Sequence, residues 1–109
     1  MNLQGFAFHT TDWDKVPAIR YPGETGYALW RTVEAGNARV RMVEYSAPYK
    51  ADHWCSRGHV ILVLEGELVT TLQDGRSFRL TPGMSYQVAE GSEPHQSSTT
   101  TGAKLFIVD

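Results

Sequence analysis

From Ala38 to Ser46 the chain alternates, with Val40, Met42 and Glu44 on one side and Arg39, Arg41, Val43 and Tyr45 on the other. That is the period of a β-strand. Arg39 and Arg41, falling together, are read as a solvated strand face. Other short segments share strand character: Thr25 to Val33, Ala51 to Cys55, His59 to Leu72, Ser77 to Leu80, Met84 to Ala89, His95 to Thr99 and Leu105 to Val108. A further short strand is expected within residues 1–10, through Leu3 and Phe6-Ala7-Phe8. Thr11 or Asp12 caps a helical turn at Trp13-Asp14-Lys15, which Pro17 and Pro22-Gly23 cut short. Trp13 is expected to be buried and to anchor this arm.

Between the apolar segments stand turn formers. Glu34-Ala35-Gly36-Asn37, Ala47-Pro48-Tyr49, Asp74-Gly75, Pro82-Gly83 and Glu90 to Pro94 each interrupt the pattern. Gly66 inside the longest run predicts a bulge or kink. Many short strands, close turns and no long helix predict an all-β sandwich or barrel. With 109 residues, the expectation is one domain over residues 1–109: an arm and first strands over 1–37, then a core over 38–109.

Composition narrows the function classes. A net charge of −2 argues against nucleic acid as a partner, since phosphate binding needs a basic surface. No apolar run reaches the roughly 18 residues of a membrane helix, and the first residues lack the basic start and apolar stretch of a signal peptide. Cys55 is the sole cysteine, so no internal disulfide forms, and a reducing cytoplasm is the expected location.

The candidate chemistry lies in Asp52-His53-Trp54-Cys55-Ser56-Arg57-Gly58-His59, at the start of the most apolar run. On a strand, His53 and Cys55 would share a face about 6.7 Å apart. Imidazole nitrogen and thiolate sulfur bind zinc-like metals at about 2.1 and 2.3 Å, so a cation could sit between them. His59, beyond Gly58, could turn back onto the same site. Asp52 would face away, placed to cap a turn or to hydrogen-bond a ligand rather than to be one. His9 reads as a surface or strand histidine.

These residues resemble the cupin superfamily of small jelly-roll β-barrels. The first cupin motif is usually written G-x5-H-x-H-x3–4-E-x6-G; here the spacing reads Ala47-x5-His53-x-Cys55-x3-His59-x6-Gly66. The second, G-x5-P-x-G-x2-H-x3-N, reads Gly83-x5-Ala89-x-Gly91-x3-His95-x3-Thr99, one residue longer before the histidine. Sixteen residues separate Gly66 from Gly83, and Val63-Leu64-Glu65-Gly66-Glu67-Leu68 is itself typical of the superfamily. The string Asp52-His53-Trp54-Cys55 further resembles the signature of a small group of bacterial cupins, the DHCW-motif proteins. Gly23-Glu24-Thr25-Gly26 and the run from Gly102 to Asp109 extend that likeness.

The resemblance implies a jelly-roll barrel with one divalent transition metal inside (Fe, Ni, Zn, Cu or Mn). Position by position its ligands would be His53, Cys55, His59 and His95. Two differ in type from the family pattern: Cys55 stands for an imidazole and His59 for a carboxylate. Trp30, Met42, Arg57, Tyr86 and Gln87 are the expected pocket residues, with Val88 also lining the barrel and Arg57 at its mouth. The expected ligand or substrate is a small polar metabolite, with no nucleic acid and no membrane, and a homodimer is the candidate assembly. Two function classes compete. One is a metal-dependent enzyme: a dioxygenase, isomerase or lyase. The other is a non-catalytic binding or sensing module, with a structural metal or none. A Cys55 thiolate completing a His3Cys set would close the site; Cys55 off the metal would leave room for chemistry.

Overall fold

The computed structural model describes residues 2–109. Ten strands are all that is regular there, apart from a 3-10 turn at Trp13–Lys15. They are β1 (Ile19–Pro22), β2 (Tyr27–Ala35), β3 (Ala38–Tyr45), β4 (Tyr49–Lys50), β5 (His59–Gly66), β6 (Leu68–Leu72), β7 (Ser77–Leu80), β8 (Ser85–Val88), β9 (His95–Thr99) and β10 (Ala103–Val108). All pairings are antiparallel. One sheet runs β1-β2-β3-β10-β5-β8 and the other β4-β9-β6-β7. The expected all-β jelly roll is therefore present as two facing sheets whose ladders do not close into a barrel. No helix among the described residues is long and apolar enough to cross a membrane.

Burial follows the period of two. Ile61 and Val63 of β5, Leu105 and Ile107 of β10, and Leu68 of β6 point inward and are almost fully buried. Val43 of β3 joins them. At roughly 25 cal/mol per Å² of apolar surface removed from water, each such side chain contributes about 2 kcal/mol. The expected kink at Gly66 is where the chain leaves one sheet and enters the other. Its φ is +76°, and a Cβ there would run into the carbonyl oxygen of Gly102, so only glycine fits. Two residues earlier, the β5–β10 register slips by one, with Glu65 opposite Lys104 but Val63 opposite Leu105.

Three expectations are corrected. Residues 2–10 form no strand, and Met1 lies outside the described residues; the arm is tied instead to the β2–β3 turn, where Asn37 receives the Gln4 amide at 2.8 Å and donates to Asn2 at 2.6 Å. Trp13 is half-buried, packed edge-on against Phe106. Ala51 to Cys55 is not a strand: β4 stops at Lys50 and the chain runs irregularly to β5, held to β9 by the Ala51 N–H on the Ser97 carbonyl and by the isolated bridge Cys55↔His95. Strand periodicity therefore does not relate His53 to Cys55.

The fourth correction bears on the site. The inward face of β3 is the one that carries Arg39, Arg41, Val43 and Tyr45. Val43 is 1% exposed and Arg41 only 5%. Cross-strand register explains what a buried arginine does there. Val43 lies opposite Leu105 and Arg41 opposite Ile107. One step further, the backbones of Arg39 and Asp109 exchange hydrogen bonds. Asp109 thus continues the inward row of β10, beside Arg39 and near His59, the first inward residue of β5.

Candidate metal centre and its cavity

Cys55, His59 and His95 are brought together from three parts of the chain, with one ligand atom of each within 4.8 Å of the others. His95 opens β9 on the small sheet and His59 opens β5 on the large one, so they meet across the space between sheets. Their Nε2 atoms are 3.0 Å apart. Cys55 is placed by backbone: its N–H donates to the His95 carbonyl at 2.8 Å, and the His95 N–H to the Cys55 carbonyl at 2.9 Å. Residues that exchange both bonds in an antiparallel pair put their side chains on the same face. That pairing carries Sγ to the imidazole of His95.

The hydrogen bonds select the ring nitrogens. His95 Nδ1 lies 2.9 Å from the Glu93 carbonyl, an acceptor only, so Nδ1 bears the proton and Nε2 presents its lone pair to the cluster. His59 Nε2 also lies 3.0 Å from the Tyr86 hydroxyl, while its buried Nδ1 has no hydrogen-bond partner and stands 3.9 Å from Asp109 Oδ2. Hydrogen bonding to His95 lowers the Cys55 thiol pKa, partial burial opposes that, and the Arg57 backbone N–H at 3.4 Å assists. The same contact raises His95, against burial. A thiol already biased toward thiolate, beside two imidazoles with converging nitrogens, is a donor set that fits a divalent transition metal.

His53 does not join this cluster. Its side chain is 68% exposed, and Nδ1 is engaged by Asp52 Oδ1 at 2.7 Å, a contact that holds the Asp52 carboxyl below its usual pKa. It stands at the rim of the same cavity. Asp52 therefore bonds a histidine rather than facing the cluster itself.

The cavity holds about 240 Å³. Its walls include Trp30 and Arg57, with Tyr45, Ile61 and Ile107. Met42 is a correction: the β3 face that reaches the cavity is the arginine face, and Met42 lies on the other side, near Trp13. Tyr86 and Gln87 line a separate cleft between β7 and β8 that also touches His95. Tyr86 reaches the cluster through its hydroxyl, and Gln87 is exposed, bonded to Ser85.

What sequence inspection missed is the charge at the cavity's other side. The Asp109 carboxylate is inaccessible to solvent. Arg39 grips it with two bonds of 3.0 Å, Arg41 adds one of 2.9 Å, and Arg57 Nε approaches to 3.3 Å. Burial opposes ionisation of Asp109, but His59, Arg39 and Arg41 outweigh it and hold the carboxyl well below the usual carboxylate range. Burial also lowers Arg41, partly offset by Asp109, while its guanidinium lies 4.3 Å from the Trp30 ring centre. The parity of the row 103, 105, 107 could have flagged residue 109 as inward.

No family model matches the chain, and no curated protein matches it. Solved structures do. An RmlC-like cupin from Shewanella frigidimarina superposes with a TM-score of 0.76 at 17% identity, covering 94% of this chain and 89% of that one. A predicted oxalate decarboxylase from Thermotoga maritima gives 0.77 at 14% identity, covering 92% and 96%. The polyketide cyclase RemF from Streptomyces resistomycificus gives 0.76 at 24% identity, covering 94% and 78%. At such identities what is shared is the path of the chain. The two facing sheets, with a potential metal site between them, have the cupin fold.

Proposed function

We propose that this protein is a small metal-binding cupin that acts on a small polar metabolite at one divalent transition metal held by Cys55, His59 and His95. The observation that carries this is the convergence of those three donors, within 4.8 Å of one another, beside a cavity large enough for a ligand. Three protein donors leave a coordination position free for substrate, the arrangement of catalytic rather than closed structural sites. When bound, such a metal would supply Lewis-acid or redox chemistry, as in isomerases, lyases or dioxygenases. The chain's own residues supply the rest: the Glu93 carbonyl fixes the His95 tautomer, the Tyr86 hydroxyl steadies His59, and the Trp30 and Tyr45 rings form part of the cavity wall. The Asp52-His53-Trp54-Cys55 string supports a place among the bacterial DHCW-motif cupins, and the free thiol suits the cytoplasm.

Metal analysis of freshly purified protein tests the proposal, with X-ray absorption to read sulfur in the coordination sphere. One equivalent per chain with one sulfur and at least two imidazoles is expected. Cys55→Ser should then weaken metal binding roughly 10- to 100-fold, and lower the melting temperature toward that of chelated wild type. Protein that never takes up stoichiometric metal ends the proposal. Metal bound without any turnover shifts it to the binding or sensing module.

A further inference from the structure

We infer that the cavity's ligand is a small carboxylate anion, held by the guanidiniums of Arg39, Arg41 and Arg57 beside the Cys55–His59–His95 cluster. The placement of its other end rests on the metal site proposed above; the anion site itself does not.

Three guanidiniums converge on one carboxylate, that of Asp109. The Asp109 side chain offsets one of these charges and a Cys55 thiolate would offset a second, which still leaves a positive excess. The chain as a whole carries −2, so this excess is local. Glu34, paired across the ladder with Arg39, is exposed, where water and salt screen its charge. The Asp52 carboxylate is taken up by His53 at the rim.

The arginines differ in what they have left to give. Arg39 commits two donors to Asp109, and Arg41 is buried and stacked against Trp30. Arg57 has a side chain 52% exposed and meets its carboxylate only through Nε, at 3.3 Å. A guanidinium has five N–H donors, so most of Arg57's are free to turn into the cavity. The apolar walls raise the strength of such contacts by lowering the local dielectric.

Two observations choose the class of anion. The cluster already holds a carboxylate, gripped by Arg39 in the two-pronged geometry that guanidinium and carboxylate share. The cavity, about 240 Å³, is below the roughly 300–1,000 Å³ of sites for drug-sized ligands. A compact mono- or dicarboxylate fits those limits.

Calorimetric titration with malonate, its uncharged diamide and inorganic phosphate tests this, on both chelator-treated and metal-loaded protein. Malonate should bind both forms, the diamide neither, and phosphate more weakly. Arg57→Gln should lower malonate affinity roughly tenfold or more, the weight of one charge-assisted bond, while metal stoichiometry and melting temperature stay near wild type. Asp109→Asn should melt lower, yet be raised by malonate more than wild type is, because the added anion replaces the missing one; Arg57→Gln keeps the test intact if that variant does not fold. Equal binding of malonate and diamide, no binding of malonate to either form, or unchanged affinity in Arg57→Gln would overturn the inference. Tighter phosphate than malonate overturns the carboxylate assignment. Arg57-dependent malonate binding in protein that takes up no metal leaves this inference standing and fells the metal site; metal without malonate binding does the reverse.

Discussion

His59, His95 and Asp109 reach the cavity from strands or their direct continuation, whereas His53, Cys55 and Arg57 reach it from the irregular stretch between β4 and β5. The first group is held by ladders. His59 pairs with Val88, His95 with Leu72, and Asp109 exchanges backbone bonds with Arg39. All three side chains are nearly or fully inaccessible. The second group is fixed at a few points: Ala51 to Ser97, Cys55 to His95, Ser56 to Gly91, and Gly58 to the Glu90 carboxylate. Its histidine and arginine are largely in water. Strands set positions that burial then makes expensive to change; the irregular stretch sets positions that change at little cost to the fold. Rigid and adjustable placement are thereby divided between the two groups, and the proposed metal ligands draw on both.

The largest effect expected from breaking this division is at Asp109. Asp109→Asn leaves Arg41 buried without its counter-charge and Arg39 without its two-pronged partner. Removing one member of a buried ion pair costs about 3–5 kcal/mol, which at this chain length lowers the melting temperature by more than ten degrees. Denaturant unfolding of the variant checks it; a loss below 1 kcal/mol would mean the cluster is effectively solvated. Arg57→Gln, removing the loop-borne partner of the same carboxylate, should stay within about 0.5 kcal/mol of wild type.

Next comes His95→Ala. It empties a buried site, removes a donor and leaves the Glu93 carbonyl short of its partner. A loss of about 2–3 kcal/mol and of all stoichiometric metal is expected, read by melting and by metal analysis on the same sample. Retained metal would show that His95 is structural.

The contrast also explains what the sequence disclosed. Turn chemistry placed β7 and β9 to the residue, because Asp74-Gly75, Pro82-Gly83 and Pro94 bound them tightly. Residues 51–55 were misread because the segment has strand-like composition, while its path is set by long-range bonds to Ser97 and His95 that no local pattern records. Arg39 and Arg41 read as solvated in the sequence because charge on a strand normally faces water. Their partner is Asp109, some seventy residues away, and only the β3–β10 register brings it opposite. His59 is legible because motif spacing and strand position agree, and His95, one residue later than the motif spacing, because it opens the strand that follows Pro94. Met42 was lost with the choice of the wrong β3 face.

A smaller effect is expected within the irregular stretch itself. Gly58 packs so closely that a Cβ would lie 2.6 Å from the Glu90 amide nitrogen. Gly58→Ala must therefore push residues 57–59 away from that backbone. A cost of about 1 kcal/mol is expected, together with weaker metal binding, since the Arg57 backbone N–H steadies the Cys55 sulfur and His59 is a proposed ligand. Metal titration should move more than the melting curve; the opposite order would place the glycine's role in the core.

The smallest expected effect is the sharpest test of the division. His53 matches the first histidine of the cupin motif, yet its ring stands in water with Nδ1 held by Asp52. An exposed side chain with one exposed ionic partner contributes little to folding, so His53→Ala should change stability by no more than about 0.5 kcal/mol. If metal is held by Cys55, His59 and His95, the same variant should retain one equivalent, with affinity within about tenfold of wild type. A loss matching that of His95→Ala would require His53 to leave Asp52 and move inward when metal binds. Asp52→Asn distinguishes the cases. A static rim pair predicts no change in metal affinity, whereas a moving His53 predicts a change, because the Asp52 carboxylate competes with the cluster for the same ring.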